Sequence, residues 1–101
     1  MYTQVMEIAL EEVCKEFGLT RDQIVKGGRE QRVAEPRHIF CYIALHCGYK
    51  APEIANHLNR DRTTILNGLR RHKALYETDE LFRSITNKIY DRVKDRIIKI
   101  K

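Results

Sequence analysis

Apolar residues recur at steps of three and four along nearly the whole chain, and no segment sustains the two-residue alternation of a strand. Tyr2, Val5, Met6, Ala9, Val13 and Phe17 make one stripe, which Gly18 ends. Leu81, Phe82, Ile85, Ile89, Val93 and Ile97 make another, with Thr78 or Asp79 as its cap. A helix with one apolar stripe must bury it against another element, so the pattern predicts an all-α bundle of five to six helices. The 101 residues suit a single domain, 1–101, whose modest core needs no disulfide or metal.

Between these stripes lie shorter elements. Thr20 and Gln23 form a capping box for a short helix that stops at Gly27 and Gly28. The basic loop GGREQR follows, and then EPRHIFCYIALHCG reads as a third helix. Pro36 sits in its first turn, Ile39, Ile43 and Cys47 share one side, and Gly48 ends it. Next, Pro52 suits the first position of a helix in which Ile54, Ala55 and Leu58 point inward. Asn59 and Arg60 turn the chain, and Asp61 is placed to accept from the free N–H groups of a second helix. In that helix Ile65, Leu66, Leu69 and either His72 or Lys73 keep the helical period. A short helix, a tight turn and a longer helix make a helix-turn-helix over about 52–75, ahead of a C-terminal helix over about 79–99. The final DRIIKIK frays or extends past the core.

Charge narrows the function. Residues 1–17 carry one Lys against four Glu, whereas residues 18–50 carry six Lys or Arg against three acids and residues 51–76 five against two. An acidic first helix beside a basic middle suggests a polyanion-binding face. No apolar run approaches the length of a membrane span, and the acidic start does not read as a secretory signal, so a cytoplasmic, nucleoid-associated location is expected. Cys14, Cys41 and Cys47 are odd in number and lack a C-x-x-C spacing, which fits reduced, buried thiols; neither metal nor cofactor is expected. His38, His46, His57 and His72 have no triad-like or metal-like partners, so no enzyme is expected. His57 and His72 read as surface or phosphate-facing residues. Tyr42, Tyr49, Tyr76 and Tyr90 are scattered, and read as bundle aromatics rather than a base-stacking platform.

The most specific stretch is NRDRTTILNGLRR, residues 59–71, where two β-branched threonines open a helix inside a ring of arginines. In a helix-turn-helix the first residues of the second helix face base edges in the major groove. Thr63 and Thr64 let that helix approach closely and offer methyl and hydroxyl groups. Asp61 matches a cytosine amine and Arg62 a guanine edge. Arg60, Arg70 and Arg71 suit phosphates, which position the protein without reading sequence. The rival class is a helical protein–protein adaptor that uses the basic face or the C-terminal helix. Ile97, Ile98 and Ile100 then offer a seam for a weak homodimer.

DRTTILNGLRRH, preceded by APEIANHLNR and REQRVAEPRHIFCYIAL, resembles the C-terminal DNA-binding domain of the bacterial chromosomal replication initiator DnaA, over roughly residues 10–90. The resemblance implies a Trp-repressor-like fold and binding to a DnaA-box-like duplex in replication initiation or its regulation, with other replication proteins as further partners. It also implies that Arg29 enters the minor groove, where narrow A·T-rich stretches attract a guanidinium. By the same resemblance Arg37 and His38 lie at the backbone, Pro52 near thymine methyls, Asp61, Arg62 and Thr63 at bases, and Thr64 and Asn67 nearer phosphates. This chain departs from the family pattern at Arg62 and Asn67, where histidine is usual or frequent. Asn59 replaces a Gly-Gly turn, Lys50 a capping Ser or Thr, and Ala55 a glycine. A permanently charged Arg62 differs from a histidine in reach and preferred base, which opens a related box with guanine opposite it. No G-x-x-x-x-G-K-[ST] phosphate loop occurs in these residues. An excised domain or a stand-alone protein carrying only the DNA-binding part is therefore expected, Met1 favouring the second.

Overall fold

The computed structural model describes the backbone of residues 2–100 and the side chains of residues 4–99. Six helices follow one another: α1 Tyr2–Phe17, α2 Arg21–Lys26, α3 Gln31–His46, α4 Ala51–Leu58, α5 Arg62–Thr78 and α6 Glu80–Ile100. No strand occurs among the described residues, and no helix is long and apolar enough to cross a membrane. α3 runs through the middle, touching α1, α2, α4 and α5, while α6 closes the bundle against α1 and α5. Its core includes Leu10, Val13, Ile24, Phe40, Ile43, Ile54, Leu58, Ile65, Ile89 and Val93, all buried. The side chains of Tyr2 and Ile100, named above for the first stripe and the terminal seam, lie outside the described residues.

The helix ends show why the chain breaks where it does. Gly18 turns left-handed at φ +64° and the Leu19 N–H bonds back to the Cys14 carbonyl at 3.0 Å, closing α1. Thr20 and Gln23 form the reciprocal box, Oγ1 accepting the Gln23 N–H at 3.1 Å and Oε1 the Thr20 N–H at 2.8 Å. After α4, Asn59 takes the left-handed conformation at φ 54°, and the Arg60 N–H reaches the Ala55 carbonyl at 2.9 Å. Asparagine tolerates that region better than most residues, so one Asn suffices for the turn. Between Thr78 and Asp79 the structure selects Asp79, whose Oδ1 accepts the Phe82 N–H at 3.0 Å and so opens α6.

Several expectations need correction. α3 starts at Gln31, before Pro36, so Gln31 and Arg32 belong to the helix and Pro36 lies inside it. Only its missing N–H to the Arg32 carbonyl is forfeited, and burial of Val33, Ala34 and Pro36 itself holds the extra turn against the core. Pro52 takes the second position of α4, after Ala51; an N–H there has no intrahelical partner either. Asp61 occupies the cap position of α5, but its side chain caps no backbone N–H and instead takes the Thr64 hydroxyl at 3.4 Å. Leu66 and Leu81 are exposed, at 38% and 70%, although both fit the apolar period. The C-terminal residues stay helical to Ile100, with Ile97 partly buried on the core.

Candidate nucleic-acid interface

The turn at Asn59 sends α5 out so that Asp61, Arg62, Thr63 and Thr64 are all exposed on its first turn. What holds the helix in place lies behind it. Ile65 is buried against the core, and His72, two turns on, is 1% exposed. The His72 ring stacks on Tyr42 at 4.3 Å, and its Nε2 lies 3.2 Å from the Thr86 hydroxyl. Burial pushes this imidazole down to about 4, so it is neutral near pH 7. His72 therefore anchors α5 to α3 and α6 and is not phosphate-facing. His57 is likewise turned inward, 2.6 Å from the Glu7 carboxylate on α1. The tyrosines are less scattered than the sequence suggests, because Tyr42 and Tyr76 stack at 5.4 Å around the same histidine.

Beside α5 lies an open cleft of about 510 Å³, bounded by residues 28–29, by α3 and by α5. Arg29, His38, Arg60, Thr64, Asn67 and Arg71 line it. Six residues distant in sequence are thus brought to one concave surface. Asp61, Arg62 and Thr63 stand on the exposed first turn next to it. Arg70 is outside it and donates to Asn67 Oδ1 at 3.3 Å. Pro52 is exposed on the first turn of α4, also outside the cleft.

Arg37 departs most from its predicted role. It is 5% exposed, and its guanidinium donates to the carbonyls of Ile24 at 2.8 Å, Gly27 at 2.7 Å and Gly28 at 3.2 Å. These are carbonyls that the end of α2 leaves without intrahelical donors. Its donors thus serve the loop, so Arg37 is a loop anchor rather than a phosphate clamp. Arg60 shares the task, its Nη2 donating to Val25 O at 2.8 Å and Gly27 O at 2.6 Å. Between them, the two arginines fix the loop that carries the exposed Arg29.

The electrostatics of the two sides differ. On the far side Glu12, 3% exposed, is clasped by Arg92 at 3.1 Å and Arg96 at 2.9 Å; Glu16 pairs with Arg92 at 2.7 Å, and Glu11 with Arg96 at 3.0 Å. The hydrogen bond from Arg92 holds the Glu16 carboxyl below its usual range, with Lys88 adding to it. Around the cleft no such pairing exists. Among the described residues Arg29, Arg37, Arg60, Arg62, Arg70 and Arg71 have no carboxylate partner within ion-pair distance. Burial, and then Arg37, Arg71 and Arg60, push His38 down to about 4. It offers a neutral imidazole among fixed positive charges, a hydrogen-bonding group rather than a cation.

Sequence reading missed one residue that shapes this surface. Gly68 is buried in the middle of α5, and a Cβ there would lie 2.7 Å from His38 Cδ2. Its absence lets α5 lie directly against the imidazole. The available signal was a glycine inside a helical pattern, which costs roughly 1 kcal/mol relative to alanine and so wants a reason. The cysteines are unpaired: Cys41 is buried, with its thiol pushed up to about 12 by burial, and Cys14 and Cys47 are half-buried.

Comparison with known proteins places this arrangement. The family model for the helix-turn-helix of bacterial DnaA protein matches residues 6–72, from α1 through His72 of α5. Among curated proteins the chain is similar to the chromosomal replication initiator protein DnaA of Thermomicrobium roseum, 31% identical over 80 residues. That alignment covers 77% of this chain and 17% of the relative, so the chain spans a small part of the relative's length.

Proposed function

The chain belongs to the bacterial DnaA helix-turn-helix family, and from that premise we propose that it binds double-stranded DNA sequence-specifically at a DnaA-box-like site. The observation that carries the proposal is the cleft of unpaired arginines beside the exposed first turn of α5. A cluster of guanidinium groups without protein counter-ions repels itself, and a polyphosphate backbone relieves that repulsion. Thr63 and Thr64 bring α5 close to the major groove, with Asp61 and Arg62 addressing cytosine and guanine edges. Arg29, held out on its anchored loop, addresses the adjacent minor groove. Arg60, Arg70 and Arg71 meet phosphates, with His38, Thr64 and Asn67 adding neutral hydrogen bonds, and Pro52 offers an apolar contact to thymine methyls. Arg37, buried in the wall of the cleft, acts by fixing the loop.

Through its relative's role as a chromosomal replication initiator, the process is replication initiation or its regulation, and the location the nucleoid. Arg62 favours a box with guanine opposite it. The test is fluorescence anisotropy with a labelled box duplex against a scrambled duplex of equal composition at near-physiological salt. Specific binding tighter by about a hundredfold or more is expected, within the usual range for such proteins. Equal, steeply salt-dependent affinity for both duplexes refutes the specificity, and no binding to either leaves the adaptor reading.

A further inference from the structure

We propose that Arg60 is a positioning residue: it holds Arg29 at a set distance from the first turn of α5, so that the chain reads its two grooves at one fixed spacing. The inference rests on the DNA reading above and concerns how the two halves of that reading are joined. The loop that carries Arg29 has little of its own to hold it. Gly28 and Arg29 are exposed and make no backbone–backbone hydrogen bond among the described residues. A segment so sparsely bonded moves independently of its neighbours unless side chains tie it down. Two ties exist, and they lead to different places. Arg37 ties the loop to α3 through the carbonyls of Ile24, Gly27 and Gly28. Arg60 ties it to the helix-turn-helix, reaching the carbonyls of Val25 and Gly27 across 35 and 33 residues of chain.

The Gly27 carbonyl therefore takes both guanidinium groups. Arg37 alone would hold the loop to the bundle; what Arg60 adds is a link to the residue just before Asp61, where α5 begins. Both ends of that link are pinned. The Arg60 N–H bonds back to the Ala55 carbonyl at 2.9 Å. Gly27 is boxed in, since a Cβ there would lie 2.9 Å from Val33 Cγ2 and 3.2 Å from Arg37 Nη2. Arg29 follows Gly27 by two residues and Arg62 follows Arg60 by two, so a single hydrogen bond of 2.6 Å connects the two reading segments. A plain phosphate clamp is built otherwise: Arg71 stands exposed at the cleft. Arg60 is half-buried, with Nη2 committed to the loop and Nε buried without a partner, which leaves Nη1 alone for a phosphate. Successive base pairs rise by about 3.4 Å, so a loop braced in this way favours one offset between an A·T-rich tract and the bases under α5.

The test is a double-mutant cycle read by fluorescence anisotropy on the box duplex. Arg29→Ala is expected to weaken binding about tenfold in the wild-type chain. In Arg60→Ala it should cost less than about threefold, because an unbraced Arg29 no longer meets the groove in register. Thr63→Ala should cost the same in both backgrounds, which shows that α5 still folds and reads. Arg29→Ala should also cost the same with or without Arg71→Ala, as for independent contacts. One base pair inserted between the A·T-rich tract and the α5 site should weaken wild-type binding about tenfold and Arg60→Ala binding less than about threefold. Without DNA, backbone 15N relaxation should show the Gly28 and Arg29 amides loosened in Arg60→Ala while Ile65 stays rigid. An equal cost of Arg29→Ala in wild type and Arg60→Ala, or unchanged order at Gly28 and Arg29, overturns the proposal. A loop that loosens in Arg60→Ala, beside a wild type with no box preference, instead refutes the DNA reading and the spacing role with it.

Discussion

Replacing Gly68 by alanine pits two effects of opposite sign against each other in one residue. In a helix interior alanine is favoured over glycine by about 0.8–1 kcal/mol. At Gly68 the new Cβ meets His38 Cδ2 at 2.7 Å, well inside van der Waals contact, so the ring must turn or α5 must step away from α3. Overpacking of that kind costs about 1–3 kcal/mol, which leaves Gly68→Ala destabilising by up to about 2 kcal/mol. With His38→Ala already in place the obstacle is gone, and the same substitution should stabilise by up to about 1 kcal/mol. Urea unfolding followed by far-UV circular dichroism on the four proteins of the cycle gives the coupling directly, expected at about 1–3 kcal/mol. The sign reversal is the diagnostic. If Gly68→Ala stabilises the wild type as much as it stabilises His38→Ala, the imidazole does not fill the space, and close packing is not what requires a glycine at that position.

Other perturbations separate the roles of the remaining residues. Arg37→Ala should destabilise the fold by about 2–4 kcal/mol by leaving the Ile24 and Gly28 carbonyls without their side-chain donor and Gly27 with Arg60 alone. Arg71→Ala should leave the thermal midpoint nearly unchanged, yet weaken all duplexes alike and lower the salt slope by about one; comparable melting losses for both would contradict this division. Arg62→Ala or Thr63→Ala should instead relax specificity, costing about 1–3 kcal/mol on the preferred box and little on scrambled duplex. His38 and His72, both held down to about 4 in the folded chain, take up protons in the unfolded chain first, near pH 6.5. Stability should accordingly fall as pH drops from about 6.5 toward 4, by about 1–2 kcal/mol per histidine by pH 5. His38→Gln should flatten that fall, and a urea midpoint independent of pH across the window would rule out neutral burial.

The parts of the fold written in local chemistry were legible in the sequence. Gly18, the Thr20–Gln23 box and the place of Asp61 just before α5, though not the capping bonds expected of its side chain, follow from backbone preferences that need no tertiary partner. The start of α3 did not, because proline is favoured in a first turn and tolerated deeper at the loss of one hydrogen bond. Burial of Val33 and Ala34, visible only once α3 is packed, decides the matter. Polar residues were hardest. Arg37 and His72 read as surface groups because arginine and histidine usually are, and nothing local announces the carbonyls of α2 or the ring of Tyr42. Leu66 and Leu81 fit the apolar period, yet periodicity cannot distinguish a buried face from one left open. For the interface, basic residues far apart in sequence could be named one by one, but their convergence depends on the loop that Arg37 and Arg60 hold.

The ion pairs joining α1 to α6 have a kinetic consequence for encounters with DNA. Had the seven basic residues of the C-terminal quarter been left free, positive potential would surround the molecule and a duplex would be drawn to any side. Glu11, Glu12 and Glu16 pair with Lys88, Arg92 and Arg96 of that quarter, so the remaining field has a direction, and the chain approaches a polyanion with a torque that turns the cleft forward. The acidic helix thereby shortens the search over orientations, not over distance, and its benefit should fade as added salt shrinks the screening length below the width of the protein.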